Sequence, residues 1–310
     1  MSDSSTFSVM LPVDIYSGSV FQSSTATEAD YSAYNSGTTY ALGDKVISAS
    51  THKIYESAAN TNTGHDPTDI NNRTGSTIWW NEVSATNRWK MFDGESTSQT
   101  TVASPLTVVL RPGFINALYA GNLIGDQAVI TVKDPPGGTV VYTKTIELEN
   151  SYRGDYWEYC FAPFSQQPDL LVDDIPPYYN CEVTFTLSAA SGNVSCGMFQ
   201  IGDLRPIGTS LSGASAEPKT YSYIKIDDFG NNVIKRRNSA RDMNVDVIVD
   251  LDYANAALDI LTRVIDSASL CVASSNPKYS GLRVYGLIKA RHIYDLPTTG
   301  RASISVLGLI

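Results

Sequence analysis

Apolar and polar positions alternate with a period of two through most of the chain, and a single stretch changes to a helical period. Period-two runs recur at LTVVLR, AVITVKD, TVVYTKTIEL, YWEYCFAPF, CEVTFTLSA and VSCGMFQIG between residues 91 and 205, the spacing expected of a β-sandwich. Alternation in TVVYTKTIEL turns Val140, Tyr142, Lys144 and Ile146 to one side, which makes that strand half-buried. DPPGG at 134–138 is a turn, because two prolines remove donors and two glycines permit positive φ.

Residues 206–310 open on the Gly/Ser-rich IGTSLSGASAEP, which reads as a flexible connector or extended loop. A hairpin follows in TYSYIKIDDFGNNVIKRR, turning at Asp228 to Asn232, and then the strand NVDVIVDLD with inward valines. The helical period lies in DYANAALDILTRVID, where Asp252 caps the first turn and Ala256, Leu258, Ile260, Leu261, Val264 and Ile265 mark the packed face. SLCVAS, LRVYGLIKARHIYD and RASISVLGLI return to strands, giving an α+β domain with one helix across a sheet or barrel.

Upstream, FSVMLPVDIY and a Ser/Thr-rich linker in residues 1–30 read as an arm that pairs elsewhere. Residues 31–90 are dense in turns and aromatic residues, with strands at GDKVIS and KIYESA joined by a turn at Ser50 to His52. So small a module needs large side chains in its core, and Tyr40, Tyr55, Trp79 and Trp89 are the candidates. Trp79 and Trp80 are consecutive, so on a strand they face opposite ways and one of them is outside.

Composition changes this picture in two respects. With 310 residues the chain is long enough for two or three cores, and its net charge of −10 disfavours nucleic acid and anionic lipid as partners. No apolar stretch approaches the roughly 20 residues that span a bilayer, so no membrane insertion is expected. Cys160, Cys181, Cys196 and Cys271 lie in or beside strand-like runs and read as buried thiols, with a Cys181–Cys196 hairpin bridge as the alternative.

Candidate chemistry is sparse. His52, His65 and His292 are scattered, and no nucleophile elbow, phosphate loop or dinucleotide fingerprint occurs. The pairs His65–Asp66, Asp173–Asp174 and Asp227–Asp228 are sequence neighbours on turns, where solvated side chains are the rule, whereas glycoside hydrolysis needs two carboxyls facing across a cleft. The chain is therefore expected not to be an enzyme and to need no cofactor. Lys235, Arg236, Arg237 and Arg241 form a basic cluster against the acidic background. It reads either as a subunit contact or as a strand edge guarded by charge.

Three stretches resemble known families. Tyr34, Tyr40, Gly43, Asp44, Val46, Tyr55, Asn62, Gly64, Asp66, Pro67 and the Trp79–Trp80 pair resemble the small chitin-binding-type carbohydrate-binding modules, with a Tyr at position 34 where a Trp is commoner. That resemblance implies sugar stacking on Tyr34, Tyr55, Trp79 and Trp80. Phe92, Asp93, Gly94, Ser96 and Thr97 are similar to the opening of galactose-binding-like jelly rolls, which would make Asp93 a candidate calcium ligand in place of a plain turn residue. The run from Lys235 to Ser274 resembles the ring-forming domain of phage tail-tube and distal-tail proteins.

Together these imply a mainly β chain with one α+β domain: an arm (1–30), a small aromatic β module (31–90), a jelly-roll sandwich (91–205) and a tail-tube-like sheet or barrel with one helix (206–310). The function implied is that of a virion structural protein of a bacteriophage tail tip or baseplate, assembled in the host cytoplasm. Other tail proteins, sister copies in a trimer or hexamer, and bacterial surface polysaccharide would be its partners. The competing readings are a polysaccharide-active enzyme with accessory binding modules and a purely structural assembly subunit without glycan binding.

Overall fold

The computed structural model describes residues 6–95, 97–150, 156, 165–166, 168–226, 232–236, 239–274, 276–294 and 298–309. The chain begins with β1 (Thr6–Pro12), β2 (Phe21–Ser24), β3 (Thr39–Tyr40), β4 (Lys45–Ser48), β5 (Lys53–Ser57) and β6 (Asn62–Thr63). The one-turn helix α1 (Asn71–Thr74) precedes β7 (Trp80–Ala85), β8 (Thr100–Ala103), β9 (Leu106–Leu110) and β10 (Ala117–Ile124). Next come β11 (Gln127–Asp134), β12 (Thr139–Glu147), β13 (Glu149–Asn150), β14 (Ser165–Gln166), β15 (Leu170–Val172) and β16 (Glu182–Ser188). The long β17 (Asn193–Ser210) leads to β18 (Ser215–Thr220), β19 (Tyr223–Ile226), β20 (Asn232–Lys235) and β21 (Ser239–Asp250). Helix α2 (Leu251–Val264), β22 (Ser269–Val272), β23 (Arg283–Ile293) and β24 (Thr299–Gly308) complete a mainly β fold.

The sandwich has one layer ordered β12-β11-β16-β9-β2 and a second in which β10 lies between β15 and β17, with β8 beside the start of β17. Its core comes from alternate residues of the facing strands. Val108, Ile130, Val132 and Phe185 on one layer meet Leu118, Ala120, Val194 and Ile201 on the other. The expected half-buried strand is β12, which keeps Val140 exposed while Tyr142 and Ile146 pack on the core.

Below the sandwich, six strands run β17-β1-β22-β23-β24-β21, and β21 returns to β17 through Thr209↔Ile248 and Ser210↔Val247. This closes a barrel. Closure brings backbones together at Gly208, where a Cβ would stand 2.3 Å from the Ile248 carbonyl oxygen, so only glycine fits. Inward residues Phe7, Val9, Val245, Val247, Val249, Ile304 and Val306 fill the barrel, and α2 adds Ala254, Ala257, Leu261 and Val264. Burying a valine or leucine contributes roughly 1.5–3 kcal/mol, so the odd-numbered valines of β21 fix its register.

Several expectations change. One that does not is the pairing of the arm elsewhere in the chain: β1 joins both β17 and β22 as a barrel stave, with Phe7 and Val9 fully buried. The expected division at 205/206 falls inside β17, so sandwich and barrel share a strand. IGTSLSGASAEP is no loose connector: it holds the end of β17, a turn with Gly213 at φ 106°, and the start of β18, which pairs with β21. Asp250, not Asp252, caps α2, its side chain accepting from the Asp252 N–H at 3.1 Å. The packed face of α2 is rotated from the expected one, leaving Leu258 and Ile265 exposed.

Cys181, Cys196 and Cys271 are buried free thiols, and the Cys181–Cys196 bridge is not formed. The expected strand YWEYCFAPF apart from Tyr156, Cys160, Asp227 and Asp228, the hairpin turn up to Asn231, and Arg237 lie outside the described residues.

Candidate functional site

The small module is built around aromatic side chains, but not the expected set. Its core is Tyr40, Val46, Tyr55 and Trp80, with Tyr34 and Trp79 packed at its rim. Trp80 is fully buried and its indole N–H donates to the His65 carbonyl oxygen at 2.8 Å. Tyr55 is fully buried too, under the Arg73 guanidinium and with its hydroxyl 3.0 Å from the Thr51 hydroxyl. Neither ring has a face for a sugar, which corrects two of the four expected stacking residues. Trp89 belongs to the sandwich core, stacked on Tyr16 and on His52.

The motif that suggested the family therefore has a local structural cause. Gly43, at φ 89°, makes the left-handed turn that a side chain would resist, and Asp44 closes it by accepting from the Ala41 N–H at 2.7 Å. Tyr40 accepts the Asn35 N–H at 2.8 Å, fixing the preceding loop.

What remains at the surface is one platform. Trp79 stacks on His65 with centroids 3.8 Å apart and planes 12° from parallel, and both rings are half-buried. The Trp79 backbone is held at both ends: its N–H donates to Asn72, and its carbonyl accepts from the Ala58 N–H and the Asn62 amide. Asp66, beside His65, uses one carboxylate oxygen to accept from the Thr68 N–H and hydroxyl, each at 2.8 Å. Half-buried Tyr34 stacks on Tyr40 at 5.9 Å. Burial raises its phenol pKa, and the Asp66 charge adds to the rise. Exposed Asp66 and half-buried Asn72 flank the rim and set polar groups beside the partly exposed indole; aromatic surface with polar neighbours is the combination that a pyranose ring can use.

The module is tied to the sandwich through Glu28, which binds the His52 ring nitrogen at 3.0 Å and the Thr86 hydroxyl at 3.0 Å. Asp93 has a turn-forming role. One of its oxygens accepts from the Glu95 N–H and the other from the Ser98 hydroxyl, and no cluster of three or more potential metal ligands occurs among the described residues. Burial raises the Asp93 carboxyl above its ordinary value despite those bonds.

The basic cluster divides. Lys235 ends β20 and Arg236 follows it on the surface, while Arg241 lines a cleft of about 820 Å³ between sandwich and barrel. That cleft also holds Tyr119, Asp169, Arg283 and Tyr285. Burial pushes the Asp169 carboxyl up, although the Arg241 and Arg283 charges pull it back. The expected hairpin forms next to Lys235 through β19 and β20, and its exposure is what sequence reasoning missed. Among the described residues strands β19 and β20 pair only with each other, and every residue of both is exposed. Cross-strand register puts Ile224, Ile226 and Ile234 on one face with Asn232, and Tyr223, Lys225, Val233 and Lys235 on the other. The isoleucines of YIKI and NVIK are plain in the sequence, but no local pattern declares their exposure.

No protein-family model matches the chain, and no curated protein matches it.

Proposed function

We propose that the chain is a multi-copy structural subunit of a bacteriophage tail tip or baseplate, built into the assembly through its barrel and displaying the small module toward surface carbohydrate. The observation that carries the assembly half is the β19–β20 ribbon, whose Ile224, Ile226 and Ile234 are 65%, 65% and 62% exposed. An isolated two-stranded hairpin is marginal in water, and one with three bare isoleucines on a face is a surface awaiting a partner. The carbohydrate half rests on the Trp79–His65 platform, and the phage assignment on the resemblance of the Lys235 to Ser274 run. Weak single-site sugar binding becomes effective when several copies engage together.

One observation favours the purely structural alternative for the module: Tyr55 and Trp80 are core, so a single platform is left. Sedimentation of the purified chain over a concentration series, with glycan-array binding of the wild type and of Trp79→Ala, tests both halves. Concentration-dependent assembly and glycan binding lost in the variant support the proposal. A monomer throughout removes the assembly half, and unaltered or absent glycan binding removes the carbohydrate half.

A further inference from the structure

The proposed function leaves open what covers the isoleucine face of the β19–β20 ribbon. No described residue of its own chain does, since Ile224, Ile226 and Ile234 all stay exposed. One other exposed apolar surface of the barrel domain lies on helix α2. Helix α2 turns Leu258 and Ile265 outward at 42% and 48% exposure, seven residues apart and therefore on one stripe, with half-buried Leu251 seven residues earlier. One residue on, about 100° around the helix, runs a second row of Asp252, Asp259 and Asp266, all exposed.

Resting on the multi-copy reading above, we infer that the isoleucine face of the ribbon in one copy docks on the Leu258–Ile265 stripe of α2 in the next copy. Charge favours this occupant. The hairpin sequence from Tyr223 to Arg237 carries four cations, Lys225, Lys235, Arg236 and Arg237, against two acids, Asp227 and Asp228, whereas the helix stripe is neighboured by three aspartates and one cation, Arg263. Two ribbons meeting face to face would instead bring like charges together. Lys225 and Lys235 alternate to the reverse face, but a two-stranded ribbon is only about 5 Å between strands, and a lysine stem reaches around its edge. The lengths agree: four strand residues span roughly 10 Å, as do the seven helical steps from Leu258 to Ile265. Because donor and acceptor surfaces differ, the contact is head-to-tail and propagates into a ring or a filament.

Disulfide trapping tests the contact. Chains carrying Ile234→Cys are mixed with chains carrying Leu258→Cys under mild oxidation, with each variant alone and the wild type as controls. Mixed dimers are expected, together with a multimer ladder when both substitutions share a chain. Ile234→Cys homodimers in place of mixed dimers overturn the inference in favour of ribbon–ribbon pairing. In parallel, Leu258→Lys/Ile265→Lys is expected to weaken self-association at least tenfold with its circular dichroism and Tm unchanged, as surface positions allow. Association unaltered in that variant yet lost in Ile224→Lys/Ile234→Lys sinks the helix as the docking site and leaves the multi-copy reading standing. A wild type that does not associate, together with no cross-link between the two cysteine variants, sinks both.

Discussion

The β4–β5 pair of the small module and the β19–β20 pair of the barrel domain are both short antiparallel ribbons with adjacent large apolar residues, Val46–Ile47 and Ile54–Tyr55 in one and Tyr223–Ile224 and Val233–Ile234 in the other, and they meet opposite fates. In the first, Val46 pairs with Tyr55 and both are buried under Trp80 and Tyr40. In the second, Ile224 pairs with Ile234 and both stand in solvent. Local pattern is the same; what differs is whether the chain supplies a third layer. The module supplies β7 and its tryptophans, while the barrel spends its helix on the mouth of its own core.

The largest effect should come from removing the layer that the module has. Trp80→Ala deletes a fully buried indole and its hydrogen bond to the His65 carbonyl, and should cost about 3–5 kcal/mol. Hydrogen exchange is the measurement of choice, because it resolves where protection is lost. Protection is expected to fall across residues 40–85 while the barrel amides stay slow, and a uniform loss across the whole chain would break the contrast between the two regions.

Next is the helix that the barrel keeps for itself. Asp250→Ala removes the side chain that accepts the Asp252 N–H and should cost about 1 kcal/mol in urea denaturation, with Asp250→Asn largely preserving stability. Equal losses in the two variants would show that the charge, rather than the cap, matters.

The ribbon should then show how little its isoleucines contribute to the isolated chain. Ile224→Thr/Ile234→Thr, measured at a dilution where the chain is monomeric, should lie within about 0.5 kcal/mol of the wild type, because no intramolecular packing is lost. A loss of 2 kcal/mol or more would mean that these side chains have a partner within the chain.

How far this contrast was legible in the sequence depends on which partner each residue needs. The valines at 245, 247 and 249 declared a buried strand because alternation is local, and the consecutive Trp79 and Trp80 declared opposite faces for the same reason. Which tryptophan is inside was not legible, since that depends on pairing of β7 with β5. The burial of Phe7 and Val9 was hidden for a related reason: their neighbours, β17 and β22, lie roughly two hundred residues or more away. Helix period was plain, but its phase was not, because the apolar residues of α2 cover both the packed face and the Leu258–Ile265 stripe. A residue set that serves a second surface blurs the pattern from which the first is read. Where Tyr55 and Trp80 misled, the family-like motif served the module's own core instead of a ligand.

The smallest effect concerns a third exposed strand that has solved its exposure with polar groups. On β12, the Tyr142 hydroxyl and the Lys144 ammonium both donate to Asp174, at 2.7 and 2.8 Å. Partial burial alone would raise the Asp174 carboxyl, but the bonds from Lys144 and Tyr142 outweigh it and hold the group below its ordinary 3.8. Because the folded-state value is depressed, the stabilisation is fully present above the unfolded value near 3.8 and is lost as the pH falls through the lower folded value. With the Asp174 side chain 54% exposed, solvent screens most of it, so the difference between wild type and Asp174→Asn should be a few tenths of a kcal/mol at neutral pH and vanish in acid. A carbon-detected NMR titration of Asp174 checks the sign directly. A midpoint at or above the ordinary value would show that β12 is as bare as the β19–β20 ribbon, and that polar pairing is no substitute for a covering layer on this protein.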